Sequence, residues 1–501
     1  MATEEKKLSR REFLARSSQA AAGVLASSAL GLFAATPASS RKILGANDRI
    51  NLAIIGIRSR GMALCEGFAA IKNVHIKALV DVDENLFAER ASGIEKAHGY
   101  KPAFAKDLRR VFDDKEIDAV AIATPNHWHA LAAIWACQAG KHVYVEKPCS
   151  HNVWEGRKIV EAARKYDRLV QVGFQNRSGT NARAAMNFLR EGKLGKLYMA
   201  RALCFKPREN IGRYPDGPLA PGENYSLTVA SNHKEPAYTF EYLTNVNYDM
   251  WLGPAPTQPF NRNRFHYNWH WHWDYGNGDT GNQGPHQFDF ARWGLRKEEY
   301  PVKLRSFGGQ FAQDSSQETP NTQTTIFEYA DGVIFEFATR GLLTNAEGKV
   351  TKAEMLAANG KWQASLSGDL MIGNLFYGSE GWMQIDSGGN WQTFFGRNNE
   401  PGPGSVSTAA DRYDPMNLAG SGDTHLNNFI AALRSGKRED LTSDIESGHL
   451  SSALPHLANI SYRLGRELKF DGRKEKFVND AEADRLLTRE YRKPYAVPEK
   501  V

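Results

Sequence analysis

Three clusters of side chains in this chain have the types and spacing to do chemistry. In the first, Gly56-Ile57-Arg58-Ser59-Arg60-Gly61 follows a short apolar stretch and precedes apolar residues at helical spacing. That pattern reads as strand, tight turn and helix, with the glycine spacing of a dinucleotide fingerprint whose middle glycine is replaced by Arg58. Gly56 allows the sharp turn and Gly61 lets the helix approach the strand. The amides from Ile57 and Arg58 onward are then offered to a pyrophosphate. Asp81 lies about 20 residues further on, at the end of a second strand, where a carboxylate accepts hydrogen bonds from a ribose diol. A carboxylate there repels a 2′-phosphate and favours NAD, while Arg58 and Arg60 could bind that phosphate and leave NADP open.

The second cluster is Glu146-Lys147-Pro148. A lysine at the carboxyl end of a parallel strand, held by a following proline, sits where ligands bind in such sheets, and its ammonium can hydrogen-bond a reacting hydroxyl. The third is Asn268-Trp269-His270-Trp271-His272-Trp273-Asp274-Tyr275-Gly276. On a strand this alternation places Trp269, Trp271 and Trp273 on one face and His270, His272 and Asp274 on the other. An indole face suits a carbohydrate, core packing of at least one Trp is the ordinary alternative, and His266, His270, His272 and His286 could supply imidazoles to a metal.

The elements that must position these groups alternate. Strands are expected at Arg49 to Gly56, Val74 to Asp81, Ala103-Phe104, Asp118 to Ala123 and His142 to Val145. Helices are expected at Met62 to Ile71, Glu84 to Ala97, from Asp107, and at His129 to Ala139. Nearly continuous apolar strands alternating with helices predict a parallel sheet covered on both faces. Beyond Gln171 the pattern predicts a helix over Ala182 to Arg190 and strands at Leu197 to Cys204, Gln323 to Tyr329 and Gly332 to Thr339. Long loops are expected at Pro207 to Glu235 and Asn345 to Gly360.

With 501 residues, 41% of them hydrophobic, the chain can build more than one core. A net charge of +6 with no basic run gives no footprint for nucleic acid. Cys65, Cys137, Cys149 and Cys204 are widely spaced, which indicates neither a disulfide framework nor a zinc ribbon. The first residues have another character. Ser9-Arg10-Arg11-Glu12-Phe13-Leu14, a weakly apolar stretch from Ala20 to Ala35 and small residues near Thr36 to Ser40 have the layout of a cleavable twin-arginine leader. That leader predicts engagement of the Tat machinery, export of a folded protein to the periplasm, and a mature chain with no membrane span.

Thr124-Pro125-Asn126-His127-Trp128-His129 and Glu146-Lys147-Pro148, taken with the glycine turn, resemble the glucose-fructose oxidoreductase, inositol dehydrogenase and rhizopine-catabolism family, Gfo/Idh/MocA. The resemblance continues through Gln171 to Arg177 and Gly284-x-His286 to the stretch around His425. It implies an α/β chain with a Rossmann-type doubly wound parallel sheet, followed by an α+β domain with a large open, mostly antiparallel sheet. The expected division is leader 1–44, NAD(P)-binding domain 45–170 and substrate and oligomerisation domain 171–501.

The resemblance also implies an NAD(P)-dependent oxidoreductase acting on a sugar, cyclitol or related polyol, with homo-oligomers formed through the open sheets and no metal. It sets Thr124, Pro125, Asn126 and Glu146 beside the cofactor and Lys147 between cofactor and substrate. His286 becomes the general base, since an imidazole suits the proton lost in alcohol oxidation. Asn282 stands where the family usually has aspartate, and an amide cannot stabilise an imidazolium as a carboxylate would. His129, Arg177, Trp271, Trp273, Asp274 and His425 are candidate substrate contacts. Some members of this family are glycosidases that oxidise the sugar transiently and return the hydride. Because free NAD is scarce outside the cytoplasm, an exported enzyme is expected to retain its cofactor. A noncatalytic sugar-binding protein is the third reading.

Overall fold

The computed structural model describes residues 49–226, 228–229, 233–234, 237–342, 372–405 and 424–501. The leader and the Asn345 to Gly360 segment lie outside the described residues. The described residues form one compact unit.

The first sheet has six parallel strands in the order β3-β2-β1-β4-β5-β6: β1 Ile50–Ile55, β2 Val74–Val80, β3 Ala103–Ala105, β4 Ala119–Ile122, β5 His142–Val145 and β6 Val170–Val172. Their apolar runs are buried on both faces; β1 is buried at five of its six positions. Helices α1 (Ser59–Ala69), α2 (Phe87–His98), α3 (Arg109–Asp113), α4 (Asn126–Gln138) and α5 (Val153–Lys165) provide the cover. The strand order reverses between β1 and β4, so the β1 and β4 loops part there and leave a crevice at their carboxyl ends. Several predicted boundaries shift, two of them for a clear local reason. Helix α4 begins at Asn126 rather than His129, because Pro125 is the last extended residue. Helix α3 begins at Arg109, whose amide is accepted by the Asp107 carboxylate.

After α6 (Thr180–Arg190) the chain enters a ten-stranded sheet through β7 (Leu197–Phe205). β8 (Asn224–Tyr225) pairs with β11 (Tyr238–Thr239), and β9 (Thr228–Val229) with β10 (His233–Lys234), so the predicted loop carries short antiparallel ladders. The short helices α7 (Phe240–Thr244), α8 (Tyr248–Leu252) and α9 (Gly278–Asn282) precede α10 (Gly284–Gly294). The sheet is completed by β12 (Lys303–Gly309), β13 (Thr322–Glu328), β14 (Ile334–Arg340), β15 (Ile372–Gly378), β16 (Gly381–Asp386), β17 (Trp391–Phe395), β18 (Glu400–Gly404), β19 (Leu468–Asp471) and β20 (Lys476–Phe477). Its order is β18-β17-β16-β15-β7-β14-β13-β12-β19-β20, antiparallel except between β7 and β14.

One face of this sheet is covered by α6, α10 and α12 (Ile445–Leu464). Phe288 of α10 stacks on Phe337 at 4.3 Å and meets Phe327 and Phe335 edge-on. Burying one such ring contributes about 2–3 kcal/mol, enough to fix the helix against the sheet. At the start of the same helix a Cβ on Gly284 would come within 2.9 Å of the Phe337 ring, so glycine permits the approach.

The two halves interlock. Leu426, Phe429, Ile430 and Leu433 of α11 (Thr424–Ser435) pack with Phe68 and Tyr144 on one face of the parallel sheet. Tyr495, Val497 and Val501 join the core on the other. The C-terminal segment, which ends beyond α13 (Ala481–Arg485), thus braces the nucleotide fold.

Candidate active site

The carboxyl ends of β1, β2, β4 and β5 open into a cleft of about 490 Å³, closed on its other side by the second half of the chain. At its floor Gly56 has φ +82, and a Cβ there would lie 2.8 Å from the main chain of Ala123. A Cβ on Gly61 would lie 1.7 Å from the Gly56 carbonyl oxygen. Both glycines are therefore steric requirements of the turn. Arg58 is not an error in the fingerprint. Its backbone is extended at φ −74, ψ −169, a conformation open to any residue, so no middle glycine is needed. Its side chain also does not cap α1, which leaves the helix amides available to an anion.

Asp81 reaches back from the end of β2 to accept from the amides of Ile57 (2.9 Å) and Asp83 (3.0 Å). Burial pushes its carboxyl up to about 6, against those hydrogen bonds. Thr124 lines the cleft with its buried hydroxyl unpartnered, alongside Pro125 and Asn126. The turn, the uncapped helix start, Asp81 and the idle Thr124 hydroxyl fit a dinucleotide.

Deeper in the cleft, Lys147 precedes a cis bond to Pro148 and extends its ammonium to the main-chain carbonyl of Asn282, 2.6 Å away. Burial lowers Lys147 to about 8, although neighbouring Glu146 opposes the shift. Glu146 accepts from Arg60 at 2.7 Å and from Gln175 at 3.0 Å. For its carboxyl the burial effect is outweighed by Arg60 and Lys147, which hold it below the ordinary value.

His286, one turn into α10, faces the same cleft, with Nδ1 buried and unpartnered. Burial first, then Lys147 and Arg60, keep it far below the usual imidazole range. The site thus pairs a neutral imidazole acceptor with a lysine that is still mostly protonated at neutral pH. Asn282 supplies its carbonyl to Lys147, so the departure from aspartate does not disturb that contact.

The Trp and His alternation does not form a strand. His266–Trp271 is a 3-10 helix, in which residues three apart share a face, so the period-two sorting fails. His270 enters the cleft while its Nδ1 lies 2.6 Å from the Tyr267 carbonyl and its ring stacks on Trp269. A proton on Nδ1 serves that carbonyl and leaves Nε2 as an acceptor; burial pushes the ring down to about 3. The chain-level signal for His270 was present in the run, but the strand geometry pointed it wrongly. Trp271 is buried with the Arg208 guanidinium 5.1 Å over its ring, and Arg208 is itself held by Asp279. Trp273 and Asp274 line a separate cavity. His272 faces the Asn263 carbonyl at 2.9 Å, so the four imidazoles do not converge. Among the described residues no group of side chains gathers to hold a metal ion.

Three other expected substrate contacts are held by structural partners, although His129 also lines the cleft. Both ring nitrogens of His129 sit 2.7 Å from carbonyls, those of Pro148 and Thr124, so it ties the two cleft loops together. Arg177 grips Asp289 through paired contacts of 2.8 Å and stacks on Trp293. His425 is fully buried between Val172, Ser178 and Thr442, outside the cleft lining. An isolated polar residue gives no sequence signal for such anchoring.

A cluster that sequence reasoning missed stands behind the nucleotide end of the cleft, where Arg58, Val82 and His266 line it. Residues 238–247 lie across the loop that follows β2. Tyr242 donates to Asp83 at 2.6 Å, Asn247 to Val82 at 2.9 Å, and Asn85 to the Tyr242 carbonyl at 2.9 Å. The Asn245 carbonyl accepts from Glu84, and its side chain donates to Asn85 at 3.0 Å. Arg58 donates to Tyr238 and lies 3.5 Å from Asp83. His266, at φ +56, stacks on Tyr238 at 4.7 Å and completes the group.

Comparison with known proteins agrees with this architecture. Residues 50–174 match the model of an oxidoreductase family with an NAD-binding Rossmann fold, and residues 229–352 and 407–497 match that family's C-terminal alpha/beta domain. A glycosyl hydrolase family 109 protein of Shewanella pealeana is 29% identical over 208 residues, 39% of this chain and 46% of the relative. An alpha-N-acetylgalactosaminidase of Shewanella oneidensis is 29% identical over 206 residues, 38% and 45% of the two chains. The aligned stretch spans less than half the length of these curated relatives.

Among solved structures, an aldose-aldose oxidoreductase from Caulobacter crescentus complexed with glycerol superimposes with a TM-score of 0.56 at 15% identity. That match covers 84% of this chain and all of that one. A levoglucosan dehydrogenase in complex with NADH and levoglucosan gives 0.55 at 18% identity, over 86% and 99%. With its NAD-binding Rossmann domain and its C-terminal domain both matched, the chain belongs to the Gfo/Idh/MocA oxidoreductase family.

Proposed function

We propose that this protein is a carbohydrate-processing enzyme that keeps its NAD between catalytic cycles and cleaves a glycoside without net oxidation. The observation that carries the retained-cofactor reading is the grip of residues 238–247 on the loop after β2. Residues 238–247 are tied there to the ribose-side loop by direct hydrogen bonds, which holds that loop in place and would slow the departure of a dinucleotide. The curated relatives named as glycosidases support the net reaction.

In this reading Gly56, Ile57, Arg58 and Gly61 shape the pyrophosphate turn, Asp81 holds the ribose, and Thr124, Pro125, Asn126 and Glu146 border the nicotinamide. NAD bound there supplies a hydride acceptor that can later return the hydride. Lys147 donates a hydrogen bond to the hydroxyl being oxidised and favours its ionisation, and neutral His286 accepts the proton. His270 Nε2 and the Asn282 side chain orient neighbouring hydroxyls.

The twin-arginine leader supports export through the Tat route to the periplasm, with NAD captured beforehand. Outward-facing Phe307, Ile326 and Ile334 on the ten-stranded sheet are 54%, 46% and 39% exposed, which supports assembly of like copies through that face.

The test is to denature the purified protein, identify any released nucleotide, and assay aryl glycosides, including an N-acetylgalactosaminide, without added cofactor. Bound NAD with cleavage and no accumulating NADH is expected. A strict need for added NAD, with stoichiometric NADH, would instead establish a simple dehydrogenase.

A further inference from the structure

Behind the wall of the cleft lies a second cavity of about 270 Å³, which shares no lining side chain with the first. The wall is polar. Asn126, on the cleft side, donates to Asn277 at 3.1 Å, and Asn277 in turn donates to the His151 carbonyl at 3.2 Å. Asn459 donates to the Asn277 main chain at 3.0 Å, which leaves its own side-chain oxygen without a partner.

The cavity gathers idle hydrogen-bonding atoms. His456 is 3% exposed, and apart from an interaction with the Ser150 main chain its ring nitrogens are unpartnered. His151 is 9% exposed; its Nδ1 lies 3.4 Å from the Arg489 guanidinium, and its ring otherwise meets only the Trp273 main chain. Unpartnered buried polar groups are costly to a fold, so a concentration of them marks a place built for a ligand.

The inventory decides what kind. With Nδ1 accepting from Arg489, His151 carries its proton on Nε2 and offers a donor. A neutral His456 offers one donor and one acceptor, and Asn459 Oδ1 offers an acceptor. Arg463, Arg485 and Arg489 also line the cavity and add donors that an oxyanion could meet, but an oxyanion would leave the Asn459 and Asp274 acceptors unmatched, whereas a hydroxyl both donates and accepts. Asp274, whose carboxylate accepts from Gln258 at 2.6 Å and keeps acceptor capacity to spare, lines the same space beside Trp273, whose ring is backed by Arg463 at 5.3 Å. Mixed donors and acceptors around an indole suit a sugar ring.

We propose that this cavity is a second, noncatalytic carbohydrate site that takes one pyranose-sized polyol through His151, His456, Asn459 and Asp274 against Trp273. It stands independently of the reaction in the cleft.

Two experiments test it with the full chain and its nucleotide. Crystals soaked in galactose, N-acetylgalactosamine or sodium sulfate should show a sugar ring in this cavity, with hydroxyls on His456 and Asn459. Water alone, or sulfate in preference to either sugar, would overturn the proposal. By equilibrium dialysis with labelled galactose, His456→Leu should bind one sugar fewer per chain than the wild type. Trp273→Ala, at a half-exposed position, should do the same should the histidine variant fail to fold. Turnover of a small aryl glycoside by Trp273→Ala should stay within about twofold. Equal stoichiometry in the wild type and a folded variant would also refute the site.

Discussion

The Lys147 ammonium is anchored by the main-chain carbonyl of Asn282, 2.6 Å away, and not by a side chain. Asn282→Ala should therefore leave Lys147 in place, with its ionisation near 8. Lys147→Ala should reduce turnover at least a hundredfold while NAD stays bound. Protonated Lys147 is the donor, so kcat/KM should fall as pH rises through about 8 in both wild type and Asn282→Ala. A pH profile that stays flat to pH 10 would exclude this role. The same shift acts on stability with a defined sign. The folded value lies below the unfolded 10.5, so the unfolded chain holds more protons between pH 8 and 10.5. This group therefore favours folding as pH rises across that window.

Asp81 titrates near 6 because burial resists its charge. Its folded value lies above the ordinary 3.8, so the folded chain holds the extra proton between pH 3.8 and 6, and its contribution to stability declines as pH rises through that window. Ribose recognition needs the carboxylate. Nucleotide retained after gel filtration should be several-fold lower at pH 5 than at pH 7, and Asp81→Asn should flatten that dependence. Equal retention at both values in the wild type would contradict ribose binding by Asp81.

Contacts over the loop after β2 should govern nucleotide release. Tyr242→Phe removes the bond to Asp83, at a cost of about 1 kcal/mol, and should speed loss of NAD roughly fivefold. Asp83→Ala removes the carboxylate that faces Arg58 and accepts from Tyr242 and should lower stability by about 1–3 kcal/mol. Thermal melting and stopped-flow displacement by a fluorescent analogue measure the two effects.

Within one fingerprint, two positions should respond oppositely. Gly61→Ala drives a methyl into the Gly56 carbonyl and should abolish NAD binding. Arg58→Ala keeps an extended backbone and should leave the turn folded, with faster nucleotide loss. Circular dichroism and bound-nucleotide content separate these outcomes.

The parallel sheet was legible because strands buried on both faces read as unbroken apolar runs, as in Ile50–Ile55. Lys147 and His286 were legible through motifs anchored to strand and helix ends. The Trp269 to Asp274 run misled because period-two alternation in sequence does not fix an extended backbone; a 3-10 turn puts His270 in the cleft and Trp273 behind it. Arg177, His129 and His425 were legible as polar residues in a family pattern, yet each is consumed by a buried partner that lies far away in sequence or in the main chain. The clasp of Tyr242 on Asp83 joins residues 159 positions apart, and no local pattern encodes it.

Under the proposed function, the clasp also makes nucleotide exchange a property of the protein. If release waits for residues 238–247 to lift, the oxidised and reduced cofactors depart at one common rate, set by the opening of the segment and indifferent to the charge on the nicotinamide. A hydride borrowed early in a cycle is then kept on the enzyme until it is handed back, and the cofactor acts as a permanent part of the catalyst.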